Sequence, residues 1–400
     1  MQELANIFEA YLSKSTRIFS NKEALTSKFT PGKILHRDEE ITALAQILSP
    51  SLKMEKPSNV FIYGKSGTGK TLVTTFVCNQ LENFSKKKGK GVKVLYTNCK
   101  MRKVADTEYR LIASLCRKLG RNLPATGLPT YEIYKNFFEL LDKEERIYIL
   151  ILDEIDRLVK KCGDEVLYNL VRVNSELKKA KVSIIGISND ITFKTRLDSR
   201  VLSSLGEEEI IFPPYDAIQL TEILSERAKI AFREGVLEEG VIQKCAAYAA
   251  REHGDARRAL ELLRIAGEIA EREGSLKVLE RHVDLANEKM EREAVIEVVK
   301  KQPLQSKILL FSLIKSNKKK QKVYSGDLYD EYVNFCKVIG IKPLTQRRVS
   351  DLLNEFDVLG LINNKVISLG RYGRTREINL SIPQNLVEEV EKILKVGLGI

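Results

Sequence analysis

Between residues 59 and 212, short apolar runs alternate with longer stretches in which apolar side chains recur every three or four positions. The runs are NVFIYG, VKVLYTNC, IYILILDE, VSIIGISN and EIIFPPY. Their apolar cores span only four to seven residues and are rich in Val and Ile, the pattern of strands buried on both faces of a parallel sheet. Such alternation implies an α/β layered domain. Pro213 and Pro214 end it, and from 216 to about 295 the pattern is helical throughout. There DARRALELLRIAGEIAERE carries an apolar stripe of Ala259, Leu260, Leu263, Ala266, Ile269 and Ala270. After KKQPLQ, near 300, three amphipathic helices lead into NKVISLG and REINLSI, which a glycine- and arginine-rich turn joins; a last helix follows Pro383. Upstream, residues 1 to about 55 read as a basic arm and one helix, RDEEITALAQILSPSL, with Leu44, Ile47 and Leu48 on one face. The expected domains are therefore 1–212 with its arm, an all-helical 213–298, and 299–400.

Composition narrows the class. With 400 residues and 43% hydrophobic content, the chain can bury two or three cores without disulfide or metal staples. The six cysteines (Cys78, Cys99, Cys116, Cys162, Cys245, Cys336) are dispersed, with no C-x-x-C pair and no neighbouring histidines, which argues against a zinc site and fits reduced thiols. MQELANIFEAYLSKSTRIF is too polar for a signal peptide, and no apolar run approaches the ~20 residues of a membrane span. A cytoplasmic, nucleoid-associated protein with no membrane partner is expected. The formal charge of +12 points to an acidic partner such as nucleic acid.

GKSGTGKT (Gly64, Lys65, Ser66, Gly67, Thr68, Gly69, Lys70, Thr71) stands between an apolar run and a helical pattern and matches G-x-x-x-x-G-K-[ST] in full. Its glycines let backbone N–H groups converge on phosphate oxygens, Lys70 would reach the β- and γ-phosphates, and Thr71 would offer its hydroxyl to Mg²⁺. The following helix adds the positive end of its dipole. Some eighty residues on, IYILILDEID places Asp153 and Glu154 at the carboxyl end of a buried strand. Asp153 would serve the magnesium shell and Glu154 would polarise the attacking water, while Asp156 is expected to cap the next helix. Asn189 closes another buried strand, where an amide can orient water or the γ-phosphate. Arg257 falls in the first turn of a helix, where the dipole disfavours a cation, so an anionic ligand is expected beside it; Arg258 is its competitor.

The order of phosphate loop, acidic strand, Asn strand and arginine-bearing helical lid resembles the AAA+ ATPases. That resemblance makes Arg257 the lid sensor and Arg200, in LDSRVLSSL, a candidate finger toward a neighbouring subunit's site.

Residues 301–380 hold 15 Lys+Arg against 7 Asp+Glu, so the positive charge is concentrated here. Three helices followed by a β-hairpin is the layout of a winged helix-turn-helix, whose third helix enters the DNA major groove. Thr345 would cap that helix. Gln346, Arg347, Arg348 and Ser350 then face outward and Val349, Leu352, Leu353 and Phe356 inward. The hairpin tip GRYGRTRE presents Arg371, Arg374 and Arg376 around Tyr372, suited to phosphates or a narrow minor groove. The run KKKQK reads as a solvated or phosphate-attracting loop.

On LHRDEEI (35–41), IYGKSGTGKT, LDEIDRL, LDSRVLSSLGEEEIIFPPYDAIQLTEIL, GDARRALELLRIAGEIA and GRYGRTREINL, the sequence resembles the archaeal origin-recognition/cell division control protein family of AAA+ replication initiators over nearly its whole length. The resemblance implies an α/β AAA+ core, a helical lid and a C-terminal winged helix. By similarity, Leu35, His36, Tyr215 and Arg227 would enclose adenine. NCKMRKVADTEYRLIASLCRKLG occupies the place of the initiator-specific insertion (about 100–120), with Arg102, Lys103 and Arg110 as candidate DNA contacts. Also implied are bound ATP or ADP with Mg²⁺, slow hydrolysis used as a switch, duplex origin repeats as ligand, and the replicative helicase and paralogous initiators as partners. A nucleotide-gated transcription regulator built from the same modules is the alternative.

Overall fold

A computed structural model describes residues 18–27, 29–100, 107–124, 127–205, 207–319, 322–368 and 374–400. The chain forms two compact units, 1–283 and 284–400.

The first unit is built on a five-stranded, all-parallel sheet. Its strands are β1 (Asn59–Gly64), β2 (Val92–Asn98), β3 (Ile147–Asp153), β4 (Lys181–Ser188) and β5 (Glu207–Phe212), in the order β2-β3-β4-β1-β5. Each expected apolar run became one of these strands. Because side chains alternate along a strand, β3 supplies Ile147, Ile149 and Ile151 to the core on one face and Tyr148, Leu150 and Leu152 to the core on the other. That double burial is why the strand reads as an unbroken apolar run. The helices Asp38–Leu48 and Lys70–Lys87 cover the first face, whereas Glu108–Lys118, Thr130–Leu141 and Glu165–Val171 cover the second. With all strands parallel, the carboxyl ends of β1, β3, β4 and β5 emerge on one edge, where open α/β sheets hold their ligands.

The helices Ala217–Ala231, Val241–Arg251 and Ala256–Glu273 follow. Asp216 and Gln219 form a reciprocal capping box at the first, Asp255 caps the third, and Gly274 ends it in a left-handed turn. The segment 18–27, expected within the base, packs on these lid helices. Ser20 N donates to Ala231 O at 2.8 Å, the Phe19 and Phe232 rings lie 4.8 Å apart, and Lys22 pairs with Glu268 at 2.6 Å. The expected boundary at 298/299 falls inside one continuous helix, Glu280–Lys301. Among the described residues no helix is long and apolar enough to cross a membrane.

The second unit has the helices Leu304–Lys319, Ser325–Ile339, Gln346–Val358 and Gln384–Leu398 around a three-stranded antiparallel sheet. The sheet orders β6 (Val323–Tyr324), β8 (Arg374–Leu380) and β7 (Ile362–Ser368) as β6-β8-β7. Strand β6 was not expected, since two residues carry no periodicity. The core of this unit centres on Phe311, Leu328, Tyr332, Leu353, Phe356 and Ile378. Three helices and a hairpin wing are thus in place.

Candidate nucleotide site and nucleic-acid interface

The phosphate loop turns through Gly67 (φ 75°) and Gly69 (φ 91°), both in the left-handed region that favours glycine. Space demands glycine there as well. A Cβ on Gly67 would run into the Asp255 carboxylate, and one on Gly69 would stand 2.9 Å from the Tyr215 hydroxyl. The lid therefore sits directly on the loop: Ala256 N donates to Gly67 O at 3.3 Å, and Lys65 Nζ lies 3.4 Å from His253 Nδ1.

Lys70 opens the helix after the loop and is buried, its Nζ donating to Gly64 O at 2.7 Å and to Lys65 O at 2.6 Å. Burial first, and the nearby Arg257 second, push its pKa down to about 8. Across the edge, Asp153 is 5% exposed and its Oδ2 accepts from Thr71 Oγ1 at 3.0 Å and from the Tyr96 hydroxyl at 2.8 Å. A hydroxyl and a buried carboxylate side by side are hard oxygen donors that suit Mg²⁺. Among the described residues no cluster of three or more His, Cys, Asp or Glu could hold a metal, and Mg²⁺ is ordinarily held by one or two carboxylates together with phosphates and water. The residues present fit that ion.

Glu154 follows in a left-handed conformation (φ 56°, ψ 46°) and lies 3.7 Å from Lys100. Such backbone costs roughly 1–3 kcal/mol in a non-glycine residue and clusters at functional sites. Glu154, and not Asp156, occupies the cap position of the next helix. Asp156 instead accepts from Ser188 Oγ at 3.2 Å, because β4 ends beside it. Asn189 is exposed, one residue past the Tyr63–Ser188 register pair that borders the phosphate loop.

Between loop and lid lies a cavity of about 710 Å³, lined among others by Leu35, Gly69, Thr71, Tyr215, Arg227 and Arg257. That is the size of a small-ligand cleft. Arg257 reaches it from the first turn of its helix, while Arg258 is engaged by Glu252 at 2.6 Å. Leu35 lines the cavity, and His36 takes a left-handed backbone with Nε2 2.9 Å from Glu222 Oε2, near enough for an ion pair but not aligned for a hydrogen bond. Arg227 is buried and donates to Ala24 O and Phe29 O, both at 3.2 Å, with its guanidinium over the Phe29 ring. It borders the cavity chiefly by bracing the segment that walls it. Arg200 is 80% exposed and held against Asp198 at 3.0 Å.

Sequence reasoning missed three residues here: Arg37, Tyr96 and Asp255. Arg37 lies inside LHRDEEI and Asp255 inside GDARRAL, both beside residues with a motif signal; Tyr96, mid-strand, gives none.

In the second unit, Gln346, Arg347 and Arg348 are exposed on the first turn of Gln346–Val358, and Ser350 is half-buried. Val349, Leu353 and Phe356 pack inward, with Leu352 partly buried. Arg348 lies 3.5 Å from Asp351. Thr345 takes the cap position, but its side chain makes no capping hydrogen bond. Arg376 Nη1 donates to Asn354 Oδ1 at 2.8 Å, tying the wing to the helix. Lys318, expected in a solvated or phosphate-attracting loop, lies instead in the helix Leu304–Lys319 and is bound with Lys315 to the buried Glu391. Arg110 is half-buried in the helix Glu108–Lys118. Arg102, Lys103, Arg371, Tyr372 and the side chain of Arg374 lie outside the described residues.

Comparison with known proteins agrees with this architecture. Residues 53–191 match the AAA domain family, 221–288 the Cdc6 AAA+ ATPase-type lid domain, and 297–390 the CDC6 C-terminal winged helix domain. The ORC1-type DNA replication protein of Pyrococcus abyssi is 53% identical over 97% of this chain and 93% of its own length. The ORC1-type DNA replication protein 1 of Methanosarcina mazei is 52% identical over 98% of this chain and 94% of its own. Among solved structures, the Aeropyrum pernix ORC1 protein in complex with DNA superposes with a TM-score of 0.83 at 42% identity, covering 96% of this chain and 98% of that one. At that identity over nearly its full length, the chain belongs to the family of ORC1-type DNA replication proteins.

Proposed function

We propose that the protein initiates DNA replication by binding duplex origin repeats, with ATP or ADP held between sheet edge and lid as its switch. The observation that carries the nucleotide half is a cavity lined by Thr71 and Arg257, with Asp153 hydrogen-bonded to Thr71 behind it and Lys70 near enough to feel the charges of both Arg257 and Asp153. In this reading the loop amides and Lys70 bind the β- and γ-phosphates, Arg257 meets the terminal phosphate from the lid, and Leu35 and Tyr215 flank the base. Thr71 and Asp153 would hold Mg²⁺, which supplies charge neutralisation between the phosphates. Glu154 orients the attacking water and Asn189 assists it. Hydrolysis is slow, and the state of the nucleotide, more than its turnover, governs loading of the replicative helicase. Arg200 completes a neighbouring initiator's site in trans.

The DNA half rests on the basic winged helix and on the Aeropyrum relative, which was solved bound to DNA. Gln346, Arg347, Arg348 and Ser350 would read the major groove, with Arg371, Tyr372, Arg374 and Arg376 in the wing and Arg102, Lys103 and Arg110 in the insertion adding backbone contacts. Such a protein works in the cytoplasm, on the nucleoid. Mapping its bound sites across the genome tests the role. One or a few initiation loci support it, whereas peaks at promoters would assign the chain to transcriptional control.

A further inference from the structure

Arg37 is 2% exposed and engages four groups at once. Nε donates to Thr68 O of the phosphate loop at 3.0 Å, Nη2 to Pro213 O at 2.6 Å, and Nη1 to Glu40 at 2.9 Å. Its face lies on the Tyr215 ring, 3.9 Å from guanidinium carbon to centroid. Pro213 and Tyr215 form the junction from β5 to the lid. The Tyr215 hydroxyl in turn reaches over Gly69, and the Tyr215 backbone is packed so closely on Gly254 that no Cβ would fit there. Gly254 directly precedes Asp255, which caps the helix that carries Arg257. One planar cation thus joins the phosphate loop to the strip of chain that leads into the lid.

We propose that Arg37 is a positioning residue that couples the phosphate loop to the lid: when phosphates fix the Thr68 carbonyl, Arg37 fixes the junction 213–215, and so the angle at which Arg257 is presented. The inference rests on the reading of this loop as a nucleotide site. Lysine cannot replace it. An ammonium has all its donors on one nitrogen and cannot span these separated acceptors, whereas the guanidinium reaches three in fixed directions and stacks besides.

Hydrogen exchange on the full chain, with and without saturating ADP and Mg²⁺, tests it, using Arg37→Lys and Arg37→Ala after thermal melts without nucleotide establish folding. In the unsubstituted protein, ADP slows exchange in the loop (65–70) and also at 215–217 and 256–258. In Arg37→Lys, ADP affinity drops about tenfold. At saturation the loop is still protected while 215–217 and 256–258 are not. Arg37→Ala shows the same split; should it not fold, Arg37→Lys decides. Full protection of junction and lid in a folded Arg37 variant overturns the coupling, even with affinity reduced, because Arg37 would then serve the loop alone. Absence of loop protection in the unsubstituted protein would instead overturn the nucleotide site itself.

Discussion

The Tyr96 hydroxyl donates to the same Asp153 oxygen, Oδ2, that accepts from Thr71, at 2.8 Å against 3.0 Å. Strand β2 pairs with β3 in register, Tyr96 opposite Ile151, so the sheet itself aims this phenol at the carboxylate. Tyr96 fixes one oxygen of Asp153. Removing the hydroxyl frees the carboxylate to rotate away from Thr71. Tyr96→Phe should lower ATP turnover by about three- to tenfold and cost about 0.5–1.5 kcal/mol of stability, read by phosphate release and by denaturant titration. Unchanged turnover would remove Tyr96 from the site.

Lys70 carries a pH signature. Its pKa, held to about 8 chiefly by burial, lies below the ordinary lysine value, so between that value and about 8 the unfolded chain binds more protons than the folded one. Stability from this group is therefore lowest below pH 8 and recovers as pH rises through the window. Nucleotide phosphates need the ammonium form. Above pH 8, ADP binding must take up a proton, and affinity should fall by up to about tenfold per pH unit. Titrations from pH 7 to 9.5 check this; Lys70→Arg, charged throughout, should flatten the slope.

Glu391 is buried in the second unit among Lys315, Lys318 and Lys395 at 2.8, 2.6 and 3.3 Å. Hydrogen bonds from Lys315 and then Lys318 hold its pKa down to about 2. The stabilisation is present above the ordinary glutamate value and is lost as pH falls through about 2. The lysine heads are partly in water, so Glu391→Gln should cost only about 1 kcal/mol. It should also blunt the acid dependence of unfolding.

What the sequence made legible followed from local signals. Strand β3 is buried on both faces and is an apolar run with no polar interruption, whereas β2 carries Lys93 and β5 opens on three glutamates, and these two stood out through their Val and Ile alone. The phosphate loop and Asp153 declared themselves through spacing. Other features depend on partners far away in the chain. Arg37 meets Pro213 across 176 positions, and Arg227 meets Ala24 across 203, so neither contact leaves a periodic trace. The placement of 18–27 on the lid, the two-residue β6 and the capture of Lys318 by Glu391 were hidden for the same reason. Asp156 looked like a cap because it follows a strand, yet the left-handed turn at Glu154 took that position.

Arg347 is exposed on the first turn of its helix. If it meets a phosphate, Arg347→Ala should weaken duplex binding uniformly across sequences and reduce the salt slope by about 1; if it reads a guanine, the loss of about 1–3 kcal/mol should fall on one position of the site. Competition binding at several salt concentrations separates the two. No change in either quantity would take the residue out of the interface.

The cleft between loop and lid is tested most directly by equilibrium titration of ADP with Mg²⁺ into the full chain and into Lys70→Ala and Arg257→Ala. One nucleotide per chain is expected. Binding should be abolished in Lys70→Ala and weakened about tenfold or more in Arg257→Ala, where a charge-assisted contact is lost. A chain that takes up no ADP, or a Lys70→Ala variant that binds as tightly as the original, would contradict the account.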